Sequence, residues 1–217
     1  MSAKSIGLSD ELHAYLVAHC SAPDPVVADL ITETYSRLAD VAQYQIAPEQ
    51  APFMTLMAKL VGARHAVEIG TFTGLSAMAI ARGLVPGGRL VCFDVSTEYT
   101  DVARRYWERA GVADRIELRL GPAVELLPEL PTEPHIDLAF IDADKTNNLR
   151  YWAELVPRMR SGGVILVDNA LRNGRIVAPE TDEDRATVKF NDVVAADDRV
   201  DVLIIPLADG LTIARVH

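Results

Sequence analysis

The chain has 217 residues, 49% of them hydrophobic, enough for one sizeable core and short for two domains. Its 21 basic and 31 acidic residues give a formal charge of −10, which repels nucleic-acid phosphates and anionic lipid surfaces. Two widely spaced cysteines, Cys20 and Cys92, signal neither a disulfide framework nor a zinc site, and no stretch reads as a signal peptide or membrane span, so a cytoplasmic protein without nucleic-acid or membrane partners is expected.

Leu12, Leu16, Val17 and Cys20 recur at helical spacing after Ser9 and Asp10, which predicts a first helix over residues 8–20. Pro23-Asp24-Pro25 breaks it, and Val27, Leu30, Ile31, Leu38 and Val41 predict a second over 26–43. Phe53, Leu56, Met57 and Leu60 predict a third over 52–61. These helices form an N-terminal extension, residues 1–62, with no sheet of their own. They are expected to pack over the α/β core of residues 63–217, or over a second subunit, within one domain.

From Ala66 the pattern alternates. Strands over 66–69, 89–93, 115–120, 136–141 and 163–167 are separated by helices over 75–83, 98–110, 123–130 and 146–159. Nearly continuous apolar strands in such an order predict a doubly wound, Rossmann-like parallel sheet covered on both faces. After a helix near 186–196, strands over 200–205 and 211–216 flank Pro206-Leu207-Ala208-Asp209-Gly210. This hairpin adds one antiparallel strand, with Pro206 at the end of an edge strand.

The stretch Val67-Glu68-Ile69-Gly70-Thr71-Phe72-Thr73-Gly74-Leu75-Ser76 reads as a strand turning through glycines into a helix. Such a turn aims backbone N–H groups and a positive helix end at the crevice where ligands of open α/β sheets bind. Glu68 is an acid in a buried strand and needs a partner. A cationic ligand group meets that need, as does an arginine or a set of local N–H groups. Asp94 ends the second strand, where a carboxylate binds ribose hydroxyls or caps the next helix. A dinucleotide fold has Gly-x-Gly-x-x-Gly, whereas this chain has Glu68-x-Gly70-x-x-x-Gly74. The glutamate repels a pyrophosphate and welcomes a sulfonium or amine, and S-adenosylmethionine carries both along with a ribose.

The fourth strand ends in Asp142-Ala143-Asp144-Lys145 and the fifth in Asp168-Asn169. On neighbouring strands, Asp142, Asp168 and Asn169 converge as hard oxygen donors for Mg²⁺ or a similar divalent ion. The alternative is that each acid caps a helix or loop. Lys145, at a helix N-terminus, is electrostatically misplaced. A nearby cation and burial would make it a general base, while pairing with Asp144 would make it an ordinary surface lysine.

These motifs, together with Pro48-Glu49-Gln50 and Leu207-Ala208-Asp209-Gly210-Leu211, resemble the cation-dependent class I S-adenosylmethionine O-methyltransferases of the caffeoyl-CoA and catechol type, from about Gln45 to the C-terminus. The resemblance implies that Glu68 and Ser76 hold the methionine end of the cofactor and that Gly70 admits it to the backbone. It places Asp94 on the ribose, and Ile46 and Ala123 near the adenosyl part. It makes Asp142, Asp168 and Asn169 the ligands of Mg²⁺, with Mn²⁺ or Ca²⁺ as alternatives, and Lys145 the base. It further implies a small phenolic substrate with vicinal hydroxyls, and a homodimer. Leu75 stands where many relatives have tyrosine, and Arg172-Asn173 where they often have a tryptophan and a small residue, so a more polar acceptor pocket is expected. Two competing readings are a non-catalytic cofactor-binding or dimerisation module on the same fold, and a nicotinamide dehydrogenase.

Overall fold

The computed structural model describes residues 6–217; residues 1–5, part of the predicted extension, lie outside the described residues. Helix α1 (Asp10–Ala18) starts at Ser9, whose side chain accepts from the Leu12 amide at 3.3 Å, and none of its residues is buried. Helix α2 (Pro25–Arg37) is opened by Asp24, which accepts from the amides of Val26 and Val27 at 2.9 and 3.0 Å. Helix α1 already stops at Ala18, and Pro23-Asp24-Pro25, expected to break it, is instead the start signal of α2, an N-cap followed by proline at the first helical position.

The second helix stops at Arg37 rather than at Gln43, because Leu38 leaves helical geometry (φ −124°, ψ 39°). A 3₁₀ turn at Ala42–Tyr44 then turns the chain so that Gln45 Nε2 donates to Thr34 Oγ1 and Thr73 Oγ1, both at 3.1 Å. Helix α3 (Gln50–Leu60) follows.

The sheet contains β1 (His65–Ile69), β2 (Arg89–Asp94), β3 (Ile116–Leu120), β4 (Ile136–Ile141), β5 (Met159–Asp168), β6 (Val200–Ile205) and β7 (Leu211–Val216), in the order β3-β2-β1-β4-β5-β7-β6. The first five strands are parallel, and β7 runs antiparallel between β5 and β6. Alternate residues of the inner strands face opposite layers. Ala66, Leu90, Leu138 and Leu166 pack with α2, α3, α4 (Leu75–Gly83) and α5 (Thr97–Arg109). Val67, Phe93, Ala139 and Val167 pack with α6 (Ala123–Leu126), α7 (Asn148–Leu155) and α8 (Asp182–Ala195). This is the mixed, Rossmann-like sheet expected, with the antiparallel strand supplied by the C-terminal hairpin.

Besides the end of α2, three further helices differ clearly from expectation. The helix expected over 146–159 is a 3₁₀ turn at Lys145–Asn147, then α7, then a second 3₁₀ turn containing Pro157, which has no N–H to continue the ladder. Met159 already belongs to β5. The helix expected over 123–130 is a single α-turn, followed by a 3₁₀ turn around Pro128. Finally, α8 begins at Asp182 rather than near Ala186, because Thr181 and Asp184 form a reciprocal capping box.

Gly74 joins the glycine turn to α5. It sits in the left-handed region (φ +83°), and a Cβ there would lie 2.6 Å from Ala103 Cβ and from Trp107 Nε1. Trp107 Nε1 donates to the Gly74 carbonyl at 3.0 Å. Gly111 is left-handed too (φ +67°) but has nothing within 4 Å of its Cβ position. In urea unfolding, Gly111→Ala is expected to lose only the conformational term of about 1–2 kcal/mol. Gly74→Ala is expected to lose about 1–3 kcal/mol more from overpacking. Equal losses would contradict the packing role.

Candidate functional site

The strand order reverses between β1 and β4, and that switch point is where open α/β sheets form a crevice. Register aligns the strand ends: Ile69 lies beside Phe93 and Ile141, and Ile141 beside Val167. Gly70, Asp94, Asp142 and Asp168 therefore leave the sheet together. A cavity of about 1040 Å³ opens there, walled by the glycine turn, by Gln45, Ile46, Ala47 and Pro48, and by Asp94, Ala123, Asp142, Lys145, Asp168 and Asn169.

The turn is fixed by its neighbours. Gly70 (φ +87°) donates its N–H to the Phe93 carbonyl at 2.9 Å, and a Cβ there would meet the Asp142 carbonyl oxygen at 2.1 Å. Glycine is thus demanded at this position by the end of β4. Asp94 Oδ2 accepts from the amides of Thr71 and Phe72 at 2.9 and 2.8 Å, and its Oδ1 from the Ser96 amide at 2.8 Å. The carboxylate expected to bind ribose or to cap a helix is tying the turn to β2, while Ser96 caps α5. Asp94 also lies on the cavity wall, and its Oδ1, with a single donor, has a further lone pair. Phe72 packs edge-on against Tyr44 and Tyr99, with centroids 6.0 and 4.9 Å away, and all three rings line the cavity.

Glu68 is fully buried, and neither of its oxygens has a hydrogen-bond partner. No arginine and no backbone N–H satisfies it, so neither local alternative raised by the sequence is present. Burial pushes its carboxyl up to about 8, with Ser76, Cys92 and Thr71 nearby offsetting part of the effect and the charge of Asp142 adding to it. Glu68 sits behind the wall; Ser76, at the start of α4 and next to it, is the one that lines the cavity.

At the other end, Asp168 is 4% exposed. Burial and the adjacent charge of Asp142 push its carboxyl well above the usual carboxylate range. Its Oδ1 accepts from the Asn169 amide at 2.7 Å and its Oδ2 from Gln50 Nε2 at 2.9 Å. Asn169 adopts φ +60°, a left-handed turn that follows directly on β5. Lys145 is 6% exposed and donates to Asp142 Oδ1 at 3.0 Å, rather than pairing with Asp144 at the surface. Asp144 accepts instead from Tyr151 Oη, Asn147 and Thr146. Among the described residues no group of three or more His, Cys, Asp and Glu side chains is placed to hold an ion; the candidate set is two carboxylates and one amide.

The loop after Asn169 forms the rim. Arg172 (φ +49°) and Asn173 (φ +51°) are left-handed, and both line the cavity. Arg172 bonds Glu183 Oε2 at 2.6 Å and Asp184 Oδ1 at 3.2 Å, and Arg175 shares Asp184. Burial opposes ionisation of Asp184, but the Thr181 donors and both guanidiniums outweigh it and hold the carboxyl well below the usual range. The rim is polar, as the Arg172-Asn173 departure implies. Sequence reasoning assigned no role to Gln50, Asp184 or the Gln45–Thr34–Thr73 contact. The threonine-to-aspartate capping pattern at 181–184 was a readable local signal, whereas the other contacts join segments far apart in the chain.

Residues 18–217 match the O-methyltransferase family model. A probable caffeoyl-CoA O-methyltransferase 2 from Dictyostelium discoideum is 39% identical over 171 residues, covering 76% of this chain and 74% of that protein. A catechol O-methyltransferase from Mycobacterium tuberculosis is 38% identical over 179 residues, covering 82% and 80%. The solved structure of an O-methyltransferase from Bacillus cereus in complex with SAH superposes with a TM-score of 0.86 at 31% identity, covering 95% of this chain and 97% of that one. Neither a dehydrogenase nor a non-catalytic module is favoured by these relatives. The strand-end crevice, the glycine turn and the match over residues 18–217 agree, and the chain belongs to the O-methyltransferase family as an S-adenosylmethionine-dependent enzyme.

Proposed function

We propose that the protein transfers the methyl group of S-adenosylmethionine to one hydroxyl of a small vicinal dihydroxy aromatic, in a reaction that depends on a divalent cation. The observation that carries this reading is that Asp142, Lys145, Asp168 and Asn169 share one cavity wall with the glycine turn. The catechol and caffeoyl-CoA names of the relatives support the acceptor class. Two carboxylates and an amide oxygen fit a hard cation, Mg²⁺ first and Mn²⁺ or Ca²⁺ as alternatives, which completes its shell with water and ligand oxygens. The orphaned, buried oxygens of Glu68 fit a cofactor that brings positive charge to the opposite end.

In this reading Glu68 and Ser76 serve the methionine end of the cofactor, Asp94 the ribose, and Ile46 and Ala123 flank the adenosyl part. Gly70 lines the same cavity, its own lack of a side chain being required by the Asp142 carbonyl. A divalent cation supplies charge that favours the ionised form of an adjacent phenol. In the same reading Lys145, whose Nζ donates to Asp142 Oδ1, takes the phenolic proton when its amine is neutral. Negative oxygen and sulfonium lose their charges together as the methyl group moves, so orientation and exclusion of water supply much of the rate. The proposal includes a homodimer. Tyr15 on α1 and Leu56 and Leu60 on α3 are 62%, 53% and 70% exposed, large side chains of the kind a second copy would cover. A monomer mass by light scattering would remove that part. Among the described residues no helix is long and apolar enough to cross a membrane, in keeping with a cytoplasmic site of action.

Methyl transfer from labelled S-adenosylmethionine to a catechol panel is expected with Mg²⁺ and to cease with chelator; transfer indifferent to chelator would contradict the metal role. Lys145→Ala is expected to lose turnover by about a hundredfold or more, the usual size of a general-base effect, with affinity for S-adenosylhomocysteine (SAH) retained. Unchanged turnover would return Lys145 to a structural role.

Glu68 makes a pH prediction. Its folded carboxyl titrates at about 8, above the value of about 4.3 for an unfolded glutamate. The unfolded chain therefore loses this proton first as pH rises. The associated stability is fully present below about pH 4.3 and is lost as pH rises towards 8, by at most about 1.4 kcal/mol per pH unit. Wild-type protein without cofactor should lose stability relative to Glu68→Gln across that window, and its affinity for SAH should rise with pH where that of Glu68→Gln does not. Parallel pH profiles for the two proteins would refute the assignment.

A further inference from the structure

Gln50 is the first residue of α3, is 1% exposed, and uses both ends of its side-chain amide. Its Oε1 accepts from the Ala47 amide at 2.7 Å, and its Nε2 donates to Asp168 Oδ2 at 2.9 Å. Ala47 lies between Ile46 and Pro48 on the cavity wall, and Gln45 of the same segment is bonded to Thr73 of the glycine turn. A single planar group thus connects the cofactor wall to the carboxylate at the opposite end of the cavity. The choice of an amide is chemically pointed. A lysine or arginine at this position would neutralise Asp168, and a glutamate would repel it. The neutral amide fixes the carboxylate rotamer and leaves its charge for a cation. Asp168 Oδ1 is fixed in the same way by the Asn169 amide.

We infer that Gln50 is a positioning residue that couples the two halves of the site, so that occupation of the cofactor wall tightens cation binding at Asp168 and cation binding tightens the cofactor. This inference rests on the metal role proposed above. Gln50 acts through Ala47 and Asp168 and touches neither reacting atom. When SAH settles segment 45–48, Gln50 holds Asp168 in one orientation before the cation arrives. Linkage makes the effect reciprocal: the factor by which SAH improves cation affinity equals the factor by which the cation improves SAH affinity.

The test is calorimetric titration of Mn²⁺ into the full chain, with and without saturating SAH, for the wild type, Gln50→Met, Gln50→Glu and Asp168→Asn, with thermal unfolding as the check on folding. In the wild type SAH is expected to tighten Mn²⁺ binding about 5- to 150-fold, the usual range of such couplings. Gln50→Met removes both hydrogen bonds, and Gln50→Glu keeps the acceptor for Ala47 but loses the donor to Asp168. Either variant, if folded, should bring the ratio close to one. A role confined to supporting the fold would lower the unfolding temperature and leave the ratio intact. Asp168-dependent Mn²⁺ binding with an undiminished ratio in either folded Gln50 variant overturns the coupling alone. Mn²⁺ binding that Asp168→Asn does not weaken overturns the metal role and the coupling together.

Discussion

The structure depends on acidic side chains confined at low dielectric, where ionisation is opposed. Glu68, Asp142 and Asp168 lie on or just beyond three neighbouring strands, and the charge of Asp142 raises the proton affinity of the other two. Lys145 answers Asp142 directly, at 3.0 Å. Glu68 has no partner, and Asp168 has only neutral donors. Buried carboxylates without a counter-charge are costly, and a fold that keeps them spends stability on a site that favours positive ligands. In the function proposed above, two such ligands of different kinds, a sulfonium nucleoside on the Glu68 side and a divalent cation at Asp168, would answer that cost.

The scaffold that holds these charges is rigid for reasons unrelated to any ligand. Gly70 lacks a side chain because the Asp142 carbonyl occupies the space, and Gly74 because Trp107 and Ala103 do. Asp94 secures the turn between them through two backbone amides. The glycine turn is thus clamped by β4 on one side and by β2 and α5 on the other. The rim is clamped differently. Arg172 and Asn173 are held left-handed, Arg172 by acids on α8, and the Asn173 amide by Asp209 at 2.5 Å in the β6–β7 turn. Left-handed backbone at non-glycine residues persists only where surroundings impose it, and such positions gather at functional edges.

Much of this was readable from the chain. Nearly continuous apolar runs such as Ile136 to Ile141, interrupted only by Asp137, identify buried parallel strands, and all six of those residues are buried. The acids at strand ends announce a polar crevice, and strand adjacency in a doubly wound sheet brings Asp142 and Asp168 together. What sequence could not supply was hydrogen-bond direction across long separations. Asp94 faces the cavity as expected, yet it spends two hydrogen bonds on Thr71 and Phe72, and nothing local marks that use. Gln50 lies 118 residues from Asp168 in the chain, and its pattern on α3 reads only as a helix start. Helix ends at Arg37 and Leu155 were misplaced because apolar periodicity continues past them, while tertiary contacts and Pro157 decide where the helices stop.

The central claim is that the charge imbalance at Asp142 and Asp168 is a cation site working beside a cofactor wall. Diffraction at the manganese absorption edge, from crystals grown with Mn²⁺ and SAH, tests it most directly. The account predicts an anomalous peak in contact with Asp142, Asp168 and Asn169, in the same cavity as the bound nucleoside. Ordered SAH with no peak at those three side chains at saturating Mn²⁺, or a peak bound elsewhere, would contradict it.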